Sequence, residues 1–121
     1  SMLLPTGCRF GIPHGYMLQV CNRSSIACRR SLVVGAHIID AGFSGEVFVN
    51  LHNVGKTDQT IRAGDKIAQL VMLPVVNFTP KLCSEQKLYE GVKVNSERGA
   101  GCLGSTDSLA NLHELDKRGL R

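Results

Sequence analysis

The sequence predicts an all-β fold, either a barrel or a sandwich, with few short helical turns. Short segments of alternating or apolar residues recur along the chain, and turn residues separate them. Helix signals are confined to two short segments. The predicted strands cover residues 8–12, 16–21, 32–34, 37–39, 46–52, 57–61 and 66–76.

The beginning of the chain contains two strand signals and one helix signal. The strand Cys8–Ile12 ends at a Pro-His-Gly turn, and in Tyr16–Cys21 Tyr, Leu and Val alternate with Met, Gln and Cys. The segment Ser24–Arg30 is predicted as a helix of one or two turns, with Asn22 or Ser24 as its N-cap.

The strand signals that follow are of two kinds. Leu32–Val34 and His37–Ile39 are short apolar runs separated by Gly-Ala, whereas Glu46–His52 alternates with Val and Leu on one face. Thr57–Ile61 follows a Val-Gly-Lys turn. Lys66–Val76 is nearly continuous in apolar residues, which predicts a buried strand.

Length and charge restrict the class of protein. A chain of 121 residues is expected to form one domain. Its formal net charge of +4 is small and scattered, which argues against duplex nucleic acid and suits a small polyanion such as a nucleoside triphosphate. No apolar run approaches the roughly 18 residues of a membrane span. We therefore expect no nucleic-acid and no membrane partner.

The five cysteines favour an intracellular protein with reduced thiols. Their number is odd, no Cys-x-x-Cys pair occurs, and no secretory leader opens the sequence. The four histidines show no metal-ligand spacing, so a metal cluster is not expected. The predicted location is the cytoplasm or the nucleus.

One acidic residue and one aromatic residue stand out in the turn between two predicted strands. Asp40 ends an aliphatic run and is interpreted either as a turn former that hydrogen-bonds its own backbone or as a general base that activates water. Phe43 lies among glycines and serves either as a core anchor or as a floor for a sugar or base. Together they predict a small-molecule pocket.

Two other segments are candidates for binding phosphate. Arg23, Ser24 and Ser25 place a guanidinium and two hydroxyls at the predicted helix start, which fits either an anion site or a solvated turn. Residues 98–106 contain an Arg, three Gly, a Ser and a Thr, which fits either an anion-binding loop or a flexible linker.

Taken together and in order, these segments resemble the dUTPase family of nucleotide hydrolases. The resemblance covers about residues 3–106, and it rests on four ordered motifs with family-like spacing. The matching stretches are Arg23-Ser24-Ser25-Ile26-Ala27, Ile39-Asp40-Ala41-Gly42-Phe43-Ser44-Gly45-Glu46, Gly64-Asp65-Lys66-Ile67-Ala68-Gln69-Leu70 and Arg98 through Asp107.

The family resemblance implies a fold and a domain organisation. It implies a distorted β-barrel of the jelly-roll type, with a nucleotide-binding domain at residues 3–106 and a C-terminal tail at 107–121. In the tail, Leu recurs at three-residue spacing in Ser108–Leu115, which indicates either a short amphipathic helix or a frayed terminus.

The resemblance also implies a reaction and the residues that carry it. Asp40 would orient and deprotonate the water that attacks the α-phosphate of dUTP, which yields dUMP and pyrophosphate. Phe43 would pack on the deoxyribose, and the backbone of a hairpin at Val34–Phe43 would pair with the uracil edge. The other substrate-binding residues implied are Arg23, Ser24, Ser25, Gln69, Arg98, Leu103, Ser105 and Thr106.

A cofactor and an oligomeric state follow from the same resemblance. Mg²⁺ would be held by the substrate phosphates rather than directly by the protein. The family is usually a homotrimer whose active sites are shared between subunits, and the same assembly is expected of this chain.

The sequence departs from the family pattern at several positions. The first family motif, Ala-Gly-x-Asp-Leu, is expected upstream of Leu3 and is not in this sequence. Cys102 and Leu103 replace Gly and Phe, and Asp107 replaces a Gly. His37 stands where many dUTPases have Gly. These departures leave open a nucleotide-binding or regulatory protein of the same fold with little or no turnover.

The stretch Ala36–Gly45, which contains His37, is also similar to the dCTP deaminases, which share the fold. Those enzymes need a Glu five residues after the last Gly of the turn, and the residue at that position here is Asn50. Because an amide cannot shuttle protons, deamination of dCTP ranks below hydrolysis of dUTP.

Overall fold

The structure is a computed structural model and describes residues 1–92 and Ala100. The described residues form six β-strands, one α-helix and one short 3₁₀ helix. In chain order these are β1 (Met2–Pro5), β2 (Tyr16–Asn22), α1 (Ser24–Arg30), β3 (Leu32–Val34), β4 (Ile38–Asp40), β5 (Phe48–Asn53), β6 (Ala68–Pro74) and the 3₁₀ helix Glu85–Lys87.

The strands form two antiparallel sheets of three strands each. One sheet has the order β1-β5-β3 and the other has the order β4-β2-β6. The chain therefore passes from the first sheet to the second between β3 and β4, through residues 35–37. The predicted hairpin at Val34–Phe43 is wrong, because its two strands pair with different partners, β5 and β2.

Most sequence-predicted elements are confirmed with small shifts. The helix Ser24–Arg30 and the strand Leu32–Val34 are found with their predicted bounds, whereas β4 lies one residue later than predicted. Two predicted strands, at 8–12 and 57–61, are wrong, and β1 was not among the predicted strands.

The two segments that are not strands differ from a strand in their contacts and backbone. Side-chain contacts replace a strand ladder at 57–61, where the guanidinium of Arg30 donates to Gln59 Oε1 at 3.0 Å and to the carbonyl of Thr60 at 2.6 Å. At 8–12, the backbone follows Gly7, whose φ of +69° turns the chain just after β1.

The core lies between the two sheets. Val20 from β2 packs in one buried cluster with Leu32 from β3 and with Val49 and Leu51 from β5. Alternate residues of β2 and β5 point into this cluster, as the period of two in a strand requires. The core therefore joins β2 of the second sheet to β3 and β5 of the first.

Strand β6 departs from its prediction in burial. Its apolar run predicted a buried strand, but Leu70, Val71 and Met72 are each at least 40% exposed. The reason is that β6 is an edge strand that pairs with β2 alone. An exposed apolar edge strand is a surface that proteins usually cover.

Replacing Leu51 by alanine should lower the free energy of unfolding by about 2–5 kcal/mol. Leu51 is 4% exposed and belongs to the central cluster, so truncation leaves a cavity between the sheets. Urea denaturation monitored by circular dichroism measures the effect. The matched control Val54→Ala, at a side chain 66% exposed, should change stability by less than about 0.5 kcal/mol.

The chain divides into two compact units, Ser1–Thr79 and Pro80–Arg121. The first unit contains all six strands and α1, and the second contains the 3₁₀ helix Glu85–Lys87. The predicted tail helix at 108–115 lies outside the described residues. In the described part of the chain, no helix is long and apolar enough to cross a membrane.

Candidate active site

The turn that follows β4 carries the two central candidate residues. The backbone N–H of Phe43 donates to the carbonyl of Asp40 at 3.0 Å, which closes a β-turn directly after the strand. Because β4 pairs with β2, with Asp40 opposite Met17, the start of this turn is anchored to the sheet. The main chain closes the turn, so the carboxylate is not needed for it.

Asp40 and Phe43 line one pocket of about 330 Å³, called here the Asp40 pocket. Its polar side chains are those of His37, Asp40 and Glu46, and Val20 and Val47 form part of its apolar lining. The Asp40 side chain is exposed and makes no hydrogen bond or ion pair with the described residues. An exposed carboxylate without a protein partner can accept hydrogen bonds from water or ligand.

Phe43 folds back over a glycine of the same turn. A Cβ atom at Gly45 would lie 2.8 Å from Cζ of the Phe43 ring, closer than real Cβ contacts. The residue remains 46% exposed, so part of its surface is available to a ligand. Gly45 thus permits the observed ring position.

Arg23 and Gln69 line a second pocket of about 340 Å³, called here the Arg23 pocket. Asp65 and Lys66 also line it, and so does Thr6. Val20 and Val47 line both pockets, so the two pockets are neighbours that share these buried residues. The structure therefore brings Asp40 together with Phe43, and Arg23 together with Gln69, in adjacent pockets of one chain.

Arg23 is the N-cap of α1 and has extended backbone. Its Nε is buried and has no hydrogen-bond partner among the described residues. A buried donor without a partner costs about 1–3 kcal/mol, which a ligand that accepts the hydrogen bond would recover. Ser24 and Ser25 are exposed at the helix start and do not line the Arg23 pocket.

The predicted N-cap of α1 is wrong, because neither predicted residue caps the helix. No side-chain cap hydrogen bond is made at Arg23. The Asn22 side chain is used elsewhere, since its Oδ1 accepts from the N–H of Val34 at 2.7 Å. The carbonyl of Asn22 accepts from Nε2 of Gln69 at 2.8 Å. Asn22 therefore links β3 to a residue of the Arg23 pocket.

Glu46 lines the Asp40 pocket but is also held by the N-terminal segment. The N–H of Gly7 donates to Glu46 Oε1 at 2.8 Å, and the hydroxyl of Thr6 donates to the carbonyl of Val47 at 2.6 Å. These bonds fix the segment Glu46–Val47, which follows the Phe43 turn. Glu46 is thereby a positioned acid rather than a mobile one.

Sequence reasoning missed the structural use of Asn50 and Gly35. Asn50 lies between the buried residues Val49 and Leu51 on β5, and its side chain bonds to the backbone at Ala36. The available signal was a polar residue inside an alternating strand, which does not by itself reveal the contact with Ala36. Arg98, Leu103, Ser105 and Thr106, the other predicted site residues, lie outside the described residues.

Comparison with known protein families shows to which family the chain belongs. A family model described as dUTPase matches residues 1–107 of the chain. The chain belongs to the dUTPase family. Residues from three of the stretches that resemble the family, between Arg23 and Gln69, line the two pockets.

Curated relatives of the family resemble most of the chain. The deoxyuridine 5′-triphosphate nucleotidohydrolase of Desulfotalea psychrophila is 41% identical over 107 residues, which cover 87% of this chain and 67% of the relative. The enzyme of the same name from Candida albicans is 39% identical over 104 residues, covering 86% and 62%. The chain thus spans about two thirds or less of the length of these relatives.

Solved structures of dUTPases share the fold. A Staphylococcus bacteriophage 80alpha dUTPase mutant with dUpNHpp has a TM-score of 0.60 at 25% identity, covering 87% of this chain and 79% of that one. The EIAV dUTPase has a TM-score of 0.56 at 26% identity, covering 72% and 78%. A mutant dUTPase from phage phi11 of S. aureus, described with a structural Mg(II) ion, has a TM-score of 0.57 at 25% identity, covering 73% of each chain. The predicted all-β, jelly-roll type of barrel is confirmed by these neighbours.

Proposed function

We propose that the chain hydrolyses dUTP to dUMP and pyrophosphate. The observation that carries the proposal is the exposed carboxylate of Asp40, without a partner among the described residues, beside the half-exposed Phe43 in one pocket. A carboxylate and an aromatic face are the groups needed to activate water and to seat a nucleoside. Family membership and the names of the relatives support the same reaction.

Asp40 is the proposed general base. It accepts a proton from a water molecule, whose oxygen forms a new bond to the α-phosphorus while the bond from the α-phosphorus to the bridging oxygen breaks. The products are dUMP and pyrophosphate, and the leaving pyrophosphate takes the electron pair of the broken bond. The exposed carboxylate fits this role because it is not neutralised by an ion pair with any described residue.

Phe43 is the proposed floor for the deoxyribose. Its exposed ring, together with Phe48 and Ile38 in the lining, makes an apolar surface against which a 2′-hydroxyl would lack a hydrogen-bond partner. The uracil edge is proposed to pair with backbone groups of Val34–Phe43. In this arrangement the base lies next to β4 and the sugar next to the turn that follows it.

Replacing Gly45 by alanine should raise KM for dUTP roughly fivefold to tenfold with little change in stability. The new Cβ would lie 2.8 Å from Phe43 Cζ, so the ring must swing away from its place in the turn. Loss of one aromatic contact is worth about 0.5–1.5 kcal/mol. Steady-state kinetics with dUTP measures the change.

Gly42→Ala is the matched control, because a Cβ at Gly42 meets no atom within 4 Å in the same turn. Its KM should stay within about twofold of that of the original chain, as for other surface substitutions. If both variants raised KM equally, the position of the Phe43 ring would not explain the effect.

The triphosphate is proposed to lie in the Arg23 pocket. Arg23 provides charge-assisted hydrogen bonds, and Gln69 lies in the same lining. Asp65, also in that lining, is 3.8 Å from a guanidinium nitrogen of Arg30, which offsets its charge near the phosphates. The remaining proposed phosphate and base contacts are Ser24, Ser25, Arg98, Leu103, Ser105 and Thr106.

Mg²⁺ is the proposed cofactor, held through the phosphates of the substrate. Among the described residues, no group of three or more His, Cys, Asp or Glu side chains could hold a metal ion. Magnesium is commonly bound through substrate phosphates and water, which fits this donor set. When bound, it would neutralise phosphate charge as the bond to the leaving pyrophosphate breaks. Arg23 would hold the same phosphates from the protein side.

A homotrimer with shared sites is the proposed assembly. The water-activating residue and the phosphate-binding residues lie in separate pockets of one chain, so a neighbouring subunit can bring the two kinds of pocket together. The apolar edge strand β6, with Leu70, Val71 and Met72 exposed, offers a surface for a subunit to cover. Light scattering coupled to size-exclusion chromatography should give three times the chain mass of 13.1 kDa.

An intracellular location is proposed from the thiols. Cys8, Cys21, Cys28 and Cys83 are all free. Free cysteines, three of which are exposed, suit a reducing compartment.

The decisive test is pyrophosphate release from dUTP, with UTP and dCTP as comparison substrates and Mg²⁺ present. The proposal expects turnover of dUTP at least about a hundredfold more efficient, by kcat/KM, than turnover of UTP, since a specificity pocket of this kind gives such ratios. Binding of dUpNHpp without any hydrolysis of dUTP would instead indicate a nucleotide-binding protein without turnover. Ammonia release from dCTP would indicate a deaminase.

A further inference from the structure

The peptide between Gly35 and Ala36 is held from both sides by side chains. The N–H of Ala36 donates to Oδ1 of Asn50 at 3.1 Å. The carbonyl of Gly35 is 3.1 Å from Nδ1 of His37. Because the N–H and C=O of a trans peptide point in opposite directions, these two contacts fix the orientation of the peptide plane. A carbonyl oxygen only accepts, so His37 donates from Nδ1.

The orientation of the Asn50 amide follows from its neighbours. Its Oδ1 also lies 3.1 Å from Nε2 of His52, on the same face of β5. A backbone N–H can only donate, so the Asn50 oxygen, and not its nitrogen, faces Ala36. The same oxygen then accepts from His52, which carries its proton on Nε2. The backbone of Asn50 adds a further bond, since its carbonyl accepts from the N–H of Gly35 at 2.9 Å.

Close packing reinforces these contacts. A Cβ atom at Gly35 would overlap with Oδ1 of Asn50 and with Nε2 of His52. Position 35 must therefore be glycine for the side chains of Asn50 and His52 to occupy these positions. Asn50, His52 and Gly35 act as one packed unit, called here the Asn50 clamp.

The Asn50 clamp lies where the chain leaves the first sheet and begins to line the Asp40 pocket. Ala36 and His37 both line that pocket, and β4 begins at the next residue. The carbonyl of His37 accepts from the N–H of Val20 at 2.7 Å, which is the first contact of the chain with β2 after the crossing. Asp40, at the end of β4, is only five residues beyond Gly35 of the clamp, so the clamp bears on the direction of β4.

We propose that Asn50 is a positioning residue of the nucleoside site, acting through the Gly35–Ala36 peptide. Asn50 is not in the lining of the Asp40 pocket, so it does not touch the ligand itself. It fixes the backbone that carries Ala36 and His37 into the lining and leads on to Asp40. The proposal deepens the proposed function and rests on nucleotide binding in the Asp40 pocket.

The alternation of β5 does not by itself require a polar residue at position 50. Val49 and Leu51 point into the core, and the opposite face of the strand carries Phe48, Asn50 and His52. An aliphatic residue at position 50 would suit the strand equally well, but it would leave the N–H of Ala36 without this acceptor. The role of the side chain therefore lies in the crossing segment.

Three variants test the clamp. Asn50→Leu removes the acceptor at similar size, Asn50→Asp keeps an acceptor oxygen, and Asn53→Leu is the matched control. Asn53 is on the same strand and also bonds to backbone, with Oδ1 accepting from Gly55 and Nδ2 donating to Thr57, but neither of these partners lines the Asp40 pocket, whereas Ala36 does. Calorimetric binding of dUpNHpp is measured at 0.15 M and about 0.5 M salt, so that screening separates the charge added in Asn50→Asp from its geometry.

We expect Asn50→Leu to raise the Kd for dUpNHpp about tenfold, the effect of one lost hydrogen bond at a positioned backbone. Asn50→Asp should lie within about threefold of the original chain at the higher salt, and Asn53→Leu within about twofold at both. Equal losses in Asn50→Leu and Asn50→Asp, equal losses in Asn50→Leu and Asn53→Leu, or no loss in Asn50→Leu would each overturn the proposal.

Hydrogen exchange of the Ala36 amide in the unsubstituted chain keeps the test valid if Asn50→Leu does not fold. The clamp expects slow exchange at Ala36, and rapid exchange there overturns it whatever the activity. Turnover of dUTP separates the two proposals. If the chain binds dUpNHpp but does not hydrolyse dUTP, the proposed function is refuted, and the binding data of the variants still decide whether the clamp positions the site. If the chain binds no dUpNHpp, both proposals are refuted.

Discussion

Replacing Asp40 by asparagine should lower kcat for dUTP by about 10²–10⁴, the usual contribution of a positioned general base. The amide keeps the size and most of the hydrogen-bonding reach of the carboxylate but cannot take the proton from water. Because Asp40 makes no hydrogen bond or ion pair with the described residues, its replacement removes no stabilising contact found there. The free energy of unfolding should therefore change by less than about 0.5 kcal/mol.

Binding and chemistry are separated by measuring both. The Kd for dUpNHpp should stay within about threefold in Asp40→Asn, because the base acts on the attacking water and not on the nucleotide. Asp58→Asn is the matched control, an exposed aspartate in a loop outside both pockets, and its kcat should equal that of the original chain. An Asp40→Asn variant that kept more than about a tenth of kcat would exclude Asp40 as the base.

The sequence was most informative where local and tertiary preferences agree. Leu32–Val34 and Ser24–Arg30 were predicted with their observed bounds, since each is bounded by residues that end it. Ser31, between them, has a left-handed φ of +53° that terminates the helix and starts the strand. A strand or helix with a clear stop can be read from its own residues.

The failures arose where long-range contacts decide the structure. Residues 57–61 have a strand-like composition, but Arg30, about thirty residues earlier in the chain, binds their polar groups instead. The prediction of a hairpin at Val34–Phe43 was wrong for the same reason. Its first strand, β3, pairs with β5, and its second strand, β4, pairs with β2. No periodicity within the segment contains that information.

The sequence named candidate site residues but did not indicate how the fold arranges them. Asp40 and Phe43 share a pocket, as their place in one turn suggested, but the phosphate candidates Arg23 and Gln69 lie in another. Asn50 was interpreted by its chemistry alone, as an amide where a deaminase needs an acid. Its contact with Ala36 depends on the crossing between two sheets, which the alternation of β5 does not reveal.

Replacing Arg23 by methionine should lower kcat/KM for dUTP by roughly 10² without lowering stability. Hydrogen bonds to charged groups contribute about 1.5–3 kcal/mol, so loss of the guanidinium at the phosphates costs about one to two powers of ten. The free energy of unfolding should stay the same or rise by about 1 kcal/mol, because the buried Nε has no partner among the described residues and methionine fills the same space without a donor.

The opposite signs of the two effects make the Arg23 prediction specific. If Arg23 stabilised the fold, its replacement would lower activity and stability together, whereas a residue held ready for a ligand loses activity alone. Arg29→Met on the same helix is the matched control, since Arg29 is exposed and lies outside both pockets. Added dUpNHpp should raise the melting temperature of the original chain and of Arg29→Met by equal amounts, and that of Arg23→Met by much less. An equal shift in all three proteins would place the triphosphate away from Arg23.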